Sequence, residues 1–332
     1  MMRRARTAVF AAVAVAVVMV ATACYPPSQT PTGQPIPPGG RVVATGPVLT
    51  VMWIEDATPD LSTIVYGRHP FLVVPGDPIP NSFWVYDDHT GRTTAVPVGG
   101  GESGSAAIAP DGRSVVFSSN DPSLQIGPTA LNCLYGQAPW SPGTPTVCSE
   151  LYLFDLHTGL TRQLTGLDGS SPYGHFSPKF SSDGTAVDFL PLGGAVPQPY
   201  TSRRLDLATG VISDSPPGPP CCAWDRGGKA VSWDGATGTL TSTDTTTGQV
   251  TTLWANADVF DLDRAIDNGR FVVLSRWVTD QTQVFRLIDT DTGSVREVSS
   301  PWIKKDGSTY AVAQQNVAPD GIDRLIIAPL PS

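Results

Sequence analysis

Basic side chains, histidines and long apolar runs are scarce in this chain, and each scarcity removes a class of function. Lys and Arg number 21 against 30 Asp and Glu, a formal net charge of −9 over 332 residues. A protein with that balance is repelled by phosphate backbones, so nucleic acid is excluded as a partner. After Val20 no segment is apolar enough to span a bilayer, which takes about 20 apolar residues. The four histidines, His69, His89, His157 and His175, form no cluster, and the five cysteines include no Cys-x-x-Cys pair. No metal site and no cofactor is therefore expected. Gly and Pro make up 65 residues, which points to many turns rather than long helices, while 40% hydrophobic content is enough for a core.

The one apolar run stands at the start. Met1-Met2-Arg3-Arg4-Ala5-Arg6 is cationic, the uncharged stretch from Ala8 to Val20 follows, and Ala21-Thr22-Ala23-Cys24 closes it. That order reads as a secretory signal peptide over residues 1–23. The residues that normally follow the arginine pair of a twin-arginine signal are missing, so the general secretion route is expected. Small residues directly before a cysteine resemble the lipobox of bacterial lipoproteins, with Ala21 where leucine is usual. That resemblance implies diacylglycerol on Cys24 and a protein held on the extracytoplasmic side of the cell membrane. The alternative is an ordinary signal peptide cut near Ala23, leaving a free thiol. Loss of three arginines leaves 18 basic and 30 acidic side chains, a net charge of −12 that keeps the body off anionic headgroups. Residues 25–40 carry six prolines, three glycines and no charge. Residues 24–44 are thus a disordered tether, and 16 residues at ~3.1 Å each in polyproline II reach roughly 50 Å.

Four cysteines remain: Cys133, Cys148, Cys221 and Cys222. An even count in an exported chain favours disulfides, with three possible connectivities. Cys133 with Cys148 is the natural local pair, closing a Gly- and Pro-rich insertion and contributing ~3 kcal/mol in the chain-entropy model. The adjacent Cys221 and Cys222 form a strained vicinal bridge, stay as thiols, or bridge elsewhere; the sequence leaves these open.

From residue 45 onward one pentapeptide recurs five times: Asp87-Asp88-His89-Thr90-Gly91, Asp155-Leu156-His157-Thr158-Gly159, Asp206-Leu207-Ala208-Thr209-Gly210, Asp244-Thr245-Thr246-Thr247-Gly248 and Asp289-Thr290-Asp291-Thr292-Gly293. Each lies between two β-prone runs, which makes it a hairpin turn. Asp bonds backbone N–H groups two residues on, Thr adds a hydroxyl, and Gly takes the φ > 0 position. A residue type repeated once per unit at a turn holds that turn, so these aspartates are read as structural rather than as calcium ligands or general acids. A second turn signal alternates with the first: Ala109-Pro110-Asp111-Gly112, Ser181-Ser182-Asp183-Gly184 and Ala318-Pro319-Asp320-Gly321, with degenerate copies at Asp225-Arg226-Gly227-Gly228 and Asp267-Asn268-Gly269-Arg270. Two hairpins per unit means four strands per unit. The pentapeptides start 68, 51, 38 and 45 residues apart, the spacing of propeller blades.

These turns, and the hydrophobic strand after each Pro-Asp-Gly, resemble the repeats of TolB-type, WD-like β-propellers over nearly all of residues 45–332, most closely from Ser105 to Leu164. The resemblance implies an all-β propeller of four-stranded antiparallel blades. Counting gives six, near 46–100, 101–168, 169–218, 219–256, 257–300 and 301–332, with a strand from Val42 to Leu49 closing the last; five or seven remain open.

The chemistry is harder to find. His89 and His157 sit in matching hairpins of different blades, and His69 lies in a loop. His175, at the entry to an inner strand, and by the same register Ser103 and Ser105, are the candidates for a binding site at the channel mouth; capping of strand ends is the plainer role. Propeller lactonases hold calcium with channel carboxylates, whereas the inner strands here read Ala106-Ala107-Ile108, Lys179-Phe180 and Ala223-Trp224, poor in acids. Propeller peptidases add a hydrolase domain with a Gly-x-Ser-x-Gly elbow, which this sequence lacks. The eight tryptophans look scattered rather than one per blade. The expectation is therefore a monomeric, non-enzymatic, membrane-anchored module that binds or scaffolds a protein, peptide or cell-envelope ligand. A channel-mouth enzyme of lactonase or carbohydrate-active type is the alternative.

Overall fold

A computed structural model describes residues 36–46, 50–70, 82–99, 103–124, 149–166, 174–192, 202–215, 223–225, 228–255, 260–267, 269–279, 282–314 and 322–330. Cys24, Cys133, Cys148, Cys221 and Cys222 lie outside them, as does the side chain of Ser103. Among the described residues no helix is long and apolar enough to cross a membrane.

The strands form six four-stranded antiparallel sheets, the blades of a propeller. Blade 1 holds β2 (Thr50–Ala57), β3 (Thr63–Pro70), β4 (Ser82–Asp87) and β5 (Arg92–Ala95). Blade 2 holds β6 (Ser103–Ile108), β7 (Ser114–Ser119), β8 (Glu150–Asp155) and β9 (Thr161–Gln163). Blade 3 holds β10 (Gly174–Phe180), β11 (Ala186–Leu192), β12 (Arg203–Asp206) and β13 (Ile212–Asp214). Blade 4 holds β14 (Ala223–Asp225), β15 (Lys229–Asp234), β16 (Thr239–Asp244) and β17 (Val250–Ala255). Blade 5 holds β18 (Asp261–Ile266), β19 (Phe271–Thr279), β20 (Thr282–Asp289) and β21 (Ser294–Val298). Blade 6 combines β22 (Trp302–Ile303), β23 (Thr309–Gln314) and β24 (Arg324–Pro329) with β1 (Arg41–Thr45) as its outer strand. The chain start thus closes the ring, as expected, and pairing with β24 removes an exposed sheet edge. Closure begins earlier than the sequence suggested: residues 37–40 form a turn, with the Gly40 N–H bonded to the Pro37 carbonyl, so they and 41–44 belong to the blade rather than to the tether.

Burial follows from stacking blades face to face. Second strands are covered on both sides, so Val115, Val116 and Phe117, or Phe271 through Leu274, read as continuous apolar runs. Outer strands such as β5 and β13 are exposed along their length and mostly polar. Apolar clusters fill the seams between blades 1 and 2, 2 and 3, 4 and 5, 5 and 6, and 6 and 1.

The pentapeptides behave as turn chemistry requires. Each Asp ends the third strand of its blade and accepts the N–H groups two and three residues on, as Asp244 does from Thr246 (2.9 Å) and Thr247 (2.7 Å). The closing glycines all have φ between +65° and +73°. A sixth copy, Asp234-Gly235-Ala236-Thr237-Gly238, forms the same turn between β15 and β16, at the opposite end of the propeller.

The inner turns bring two corrections. Ala318-Pro319-Asp320-Gly321, grouped with these turns in the sequence, lies outside the described residues, in the stretch of chain between β23 and β24 of blade 6. The inner turn there is Lys304-Lys305-Asp306-Gly307, closed from the Gly307 N–H to the Lys304 carbonyl. In blade 1 the equivalent turn is Thr58-Pro59-Asp60-Leu61, where Leu61 takes the left-handed φ of +56° that glycine takes elsewhere. A non-glycine residue in that region hid the turn from sequence reading.

Candidate binding site in the channel

Antiparallel order puts every inner turn and every pentapeptide hairpin at one end of the propeller, the turn end. The starts of the inner strands and the ends of the second strands lie at the other, the connection end. His175, the second residue of β10, is at the connection end, but it is sealed between blades rather than facing the channel. Its Nδ1 is 2.9 Å from Glu150 Oε2, its ring packs edge-on against Phe189, and it is 7% exposed. Glu150 also accepts the Thr165 hydroxyl at 2.6 Å. Nearby, burial pushes the Tyr152 phenol up, with Glu150 and Asp121 adding to it.

The channel cavity is at the turn end. It measures about 500 Å³ and is lined by residues of β2, β6, β10, β18 and β22 and by the inner turns of blades 1, 2 and 3. Of the expected channel-mouth residues, Ser105 lines it and His175 does not. Ser105 Oγ accepts the Ser177 N–H at 2.9 Å, tying blade 2 to blade 3.

The inner strands share an irregularity that shapes this cavity. Each of β2, β6, β10 and β18 carries a bulge, with Glu55, Gly104-Ser105, Ser177-Pro178 and Asp263 at the breaks in register. A bulge re-aims the side chains around it, and Ser177 meets the demand with φ +50°. Just past the bulge the register coincides: Asp56, Ala107, Lys179, Trp224, Arg264 and Trp302 each pair with the third residue of the next strand. These six positions form one ring around the channel, one from each blade.

Sequence reading found the inner strands of blades 2, 3 and 4 but passed over β2 and β18, and so called the channel poor in acids. Glu55, Asp56 and Asp263 line it. Two of the eight tryptophans, at 224 and 302, share the ring position, and the other four blades place Asp56, Ala107, Lys179 and Arg264 there. Counting three residues back from Asp267-Asn268-Gly269 would have found Arg264; no glycine marked the blade 1 turn.

The two β2 carboxylates hold backbone. An inner strand is a sheet edge whose outward N–H groups need partners. Asp56 Oδ2 takes the Ile108 N–H at 3.0 Å and Oδ1 takes Ala57 at 2.9 Å, while Glu55 takes the Ala106 N–H at 3.4 Å and the Trp53 indole N–H. Ala106 and Ile108 are alternate residues of β6, so the pair laces blade 1 to blade 2. Trp53 reaches Glu55 by lying against Gly67 of β3, where a Cβ would come within 2.1 Å of the ring. Burial pushes both carboxyls up; the hydrogen bonds pull back, and for Asp56 so do the charges of Arg264 and Lys179.

The cations are arranged differently. Arg264 lies flat on Trp302, its Cζ 3.5 Å from the ring centroid, and its Nε is 3.3 Å from Asp263 Oδ1. Burial lowers its pKa, opposed by Asp263 and Asp56. Among the described residues no three His, Cys, Asp or Glu side chains converge to hold a metal ion.

No protein-family model matches the sequence, and no curated protein does. Among solved structures the chain is similar to TolB from Acinetobacter baumannii, at 16% identity and TM-score 0.37, over 84% of this chain and 54% of that one. It is also similar to a putative TolB from Agrobacterium tumefaciens, at 14% and 0.42, over 88% and 94%. A third is the β-propeller domain of the Trilobed protease from Pyrococcus furiosus, at 10% and 0.38, over 80% and 79%. The chain spans about half the length of the first of these. The likeness to these is one of fold alone, and the described strands make this chain a β-propeller of six four-stranded blades.

Proposed function

We propose that this is an extracytoplasmic lipoprotein, anchored through Cys24, whose propeller binds a protein, peptide or cell-envelope ligand at the turn end of its channel. The observation that carries the reading is the cavity itself: about 500 Å³, bounded by bulged inner strands, with Lys179, Arg264 and Trp302 on its ring. A pocket of that volume with a few fixed polar groups is what small-ligand sites have in common. The entry of the chain supports it. Strand β1 starts at Arg41 at the turn end, so a tether from Cys24 delivers the cavity mouth toward the side of the anchor. The module acts as a monomer without catalysing a reaction.

Two experiments test this. Cys24→Ala should release the protein from the membrane fraction; unchanged retention overturns the anchor. Crosslinking in intact cells from a photoreactive residue at Ser182, on the cavity rim, should trap a partner or ligand that the same residue at Thr251, on an outer strand, does not. Equal labelling from both positions overturns the site.

An enzymatic reading has one observation in its favour, the two adjacent carboxyls Glu55 and Asp56 with pKa values raised by burial, as general acids require. Their engagement by backbone N–H groups favours a structural role instead.

A further inference from the structure

Within the ring of channel positions, acceptors are occupied and donors are open. Both oxygens of Asp56 and both of Glu55 accept hydrogen bonds from the protein. Arg264 uses only Nε, on Asp263, and among the described residues its two terminal nitrogens make no further hydrogen bond. The Lys179 ammonium makes none among them either, and both cations are near enough to Asp56 to act on its charge. Trp302 fixes the plane of the guanidinium, so the fork is held ready instead of being ordered on binding. A planar fork with both terminal nitrogens free, joined by an ammonium on the same ring, matches the oxygens of a carboxylate or phosphate.

From this arrangement we propose that the channel mouth captures an oxyanion, a carboxylate or phosphate group, between the Arg264 fork and the Lys179 ammonium. The proposal rests on the reading of the channel as a binding site and names what that site recognises. The chain as a whole is strongly acidic, so bulk charge repels such a ligand and the local donors must supply the attraction. Affinity should therefore fall on loss of either cation. The fork matters as well as the charge, so lysine at 264 cannot replace arginine.

The test is a titration of the full chain in non-ionic detergent, read from the indole N–H NMR signal of Trp302, assigned by its loss in Trp302→Phe. Inorganic phosphate and N-acetylalanine present the two oxyanions, and N-acetylalanine amide is the uncharged control. Saturable shifts with phosphate, with N-acetylalanine or with both, and none with the amide, are expected; which of the two binds identifies the source of the anion. Arg264→Lys should weaken binding roughly tenfold, as loss of a charge-assisted bidentate contact does, and Lys179→Gln by several-fold. Unfolding curves of both variants check that the propeller is intact. Equal shifts with the amide overturn the oxyanion proposal and leave the channel a binding site. Shifts unchanged in Arg264→Lys and Lys179→Gln overturn it too. Silence toward all three compounds overturns the oxyanion proposal, and the Ser182 crosslink then decides separately whether the channel binds at all.

Discussion

The two ends of this propeller carry similar buried acids in opposite circumstances. At the connection end Glu150 is 1% exposed and locked to His175 and Thr165 in the seam between blades 2 and 3. At the turn end Asp56 is also held by hydrogen bonds, yet it borders a cavity shared with two cations. The first acid can do nothing but hold the seam. The second holds the seam between blades 1 and 2 and also sets the field that a ligand would meet. Placement in a sealed seam or beside the cavity, more than residue type, separates a lock from a site.

The sharpest way to break this comparison is at the lock. Among the described residues, His175→Ala leaves Glu150 buried with Thr165 as its one remaining hydrogen-bond partner, and Glu150 Oε1 already has none there. Removing one member of a buried pair costs about 3–5 kcal/mol, so urea unfolding should show a loss of that size. Adding Glu150→Gln should recover part of it, because an amide left short of partners costs less to bury than a carboxyl group. A loss below about 1 kcal/mol would mean that the seam is as wet as the channel.

At the turn end the expected losses are smaller. Asp56→Ala orphans the N–H groups of Ala57 and Ile108, which costs about 1–3 kcal/mol. The lower part of that range is expected, because water in the cavity can reach Ile108. Asp56→Asn keeps one acceptor and should lose less. If Asp56→Ala costs as much as His175→Ala, the channel is closed and the comparison fails. Smaller still is the repeat glycine: Gly248 has φ +72° and open space where a methyl would stand, so Gly248→Ala meets only backbone strain, about 1–2 kcal/mol. Thermal unfolding of this variant should show no loss of ligand response.

The turn end was the readable end. Asp-x-x-Thr-Gly and Pro-Asp-Gly are local codes in which each residue acts on atoms two or three positions away, so the blades and the six-fold count could be read from the chain. The connection end is built from contacts between distant segments: His175 meets Glu150 across 25 residues, and no local pattern records it. The channel ring falls between these cases. Its six positions are set by counting back from inner turns, and the count failed where Leu61 replaced glycine in blade 1 and where Pro319-Asp320-Gly321 imitated an inner turn in blade 6. Glu55, Asp56 and Trp302 were missed for that reason alone. Arg264 was within reach of a known turn, and its meaning came only from Trp302, on the next blade.

The smallest effect distinguishes the acids by the sign of their pH dependence. Hydrogen bonds from Ser181 and Thr185 hold the exposed Asp183 down at about 2, against an ordinary 3.8. Its folded pKa is depressed, so the unfolded chain binds the proton more readily. Asp183 therefore adds stability above pH 3.8 that is lost as pH falls toward 2. Glu55 and Asp56 run the other way. Burial raises both above their ordinary 4.5 and 3.8, so the folded chain binds protons more readily, and their contribution is complete below those values and declines as pH rises past them. Stability measured from pH 2 to 7 should then rise less steeply between pH 2 and 4 in Asp183→Asn. Glu55→Gln should instead remove a decline on the neutral side of pH 4.5. Should Glu55→Gln steepen that decline, the cavity carboxyls would be titrating like turn aspartates, and the electrostatic difference between turn and channel would be lost.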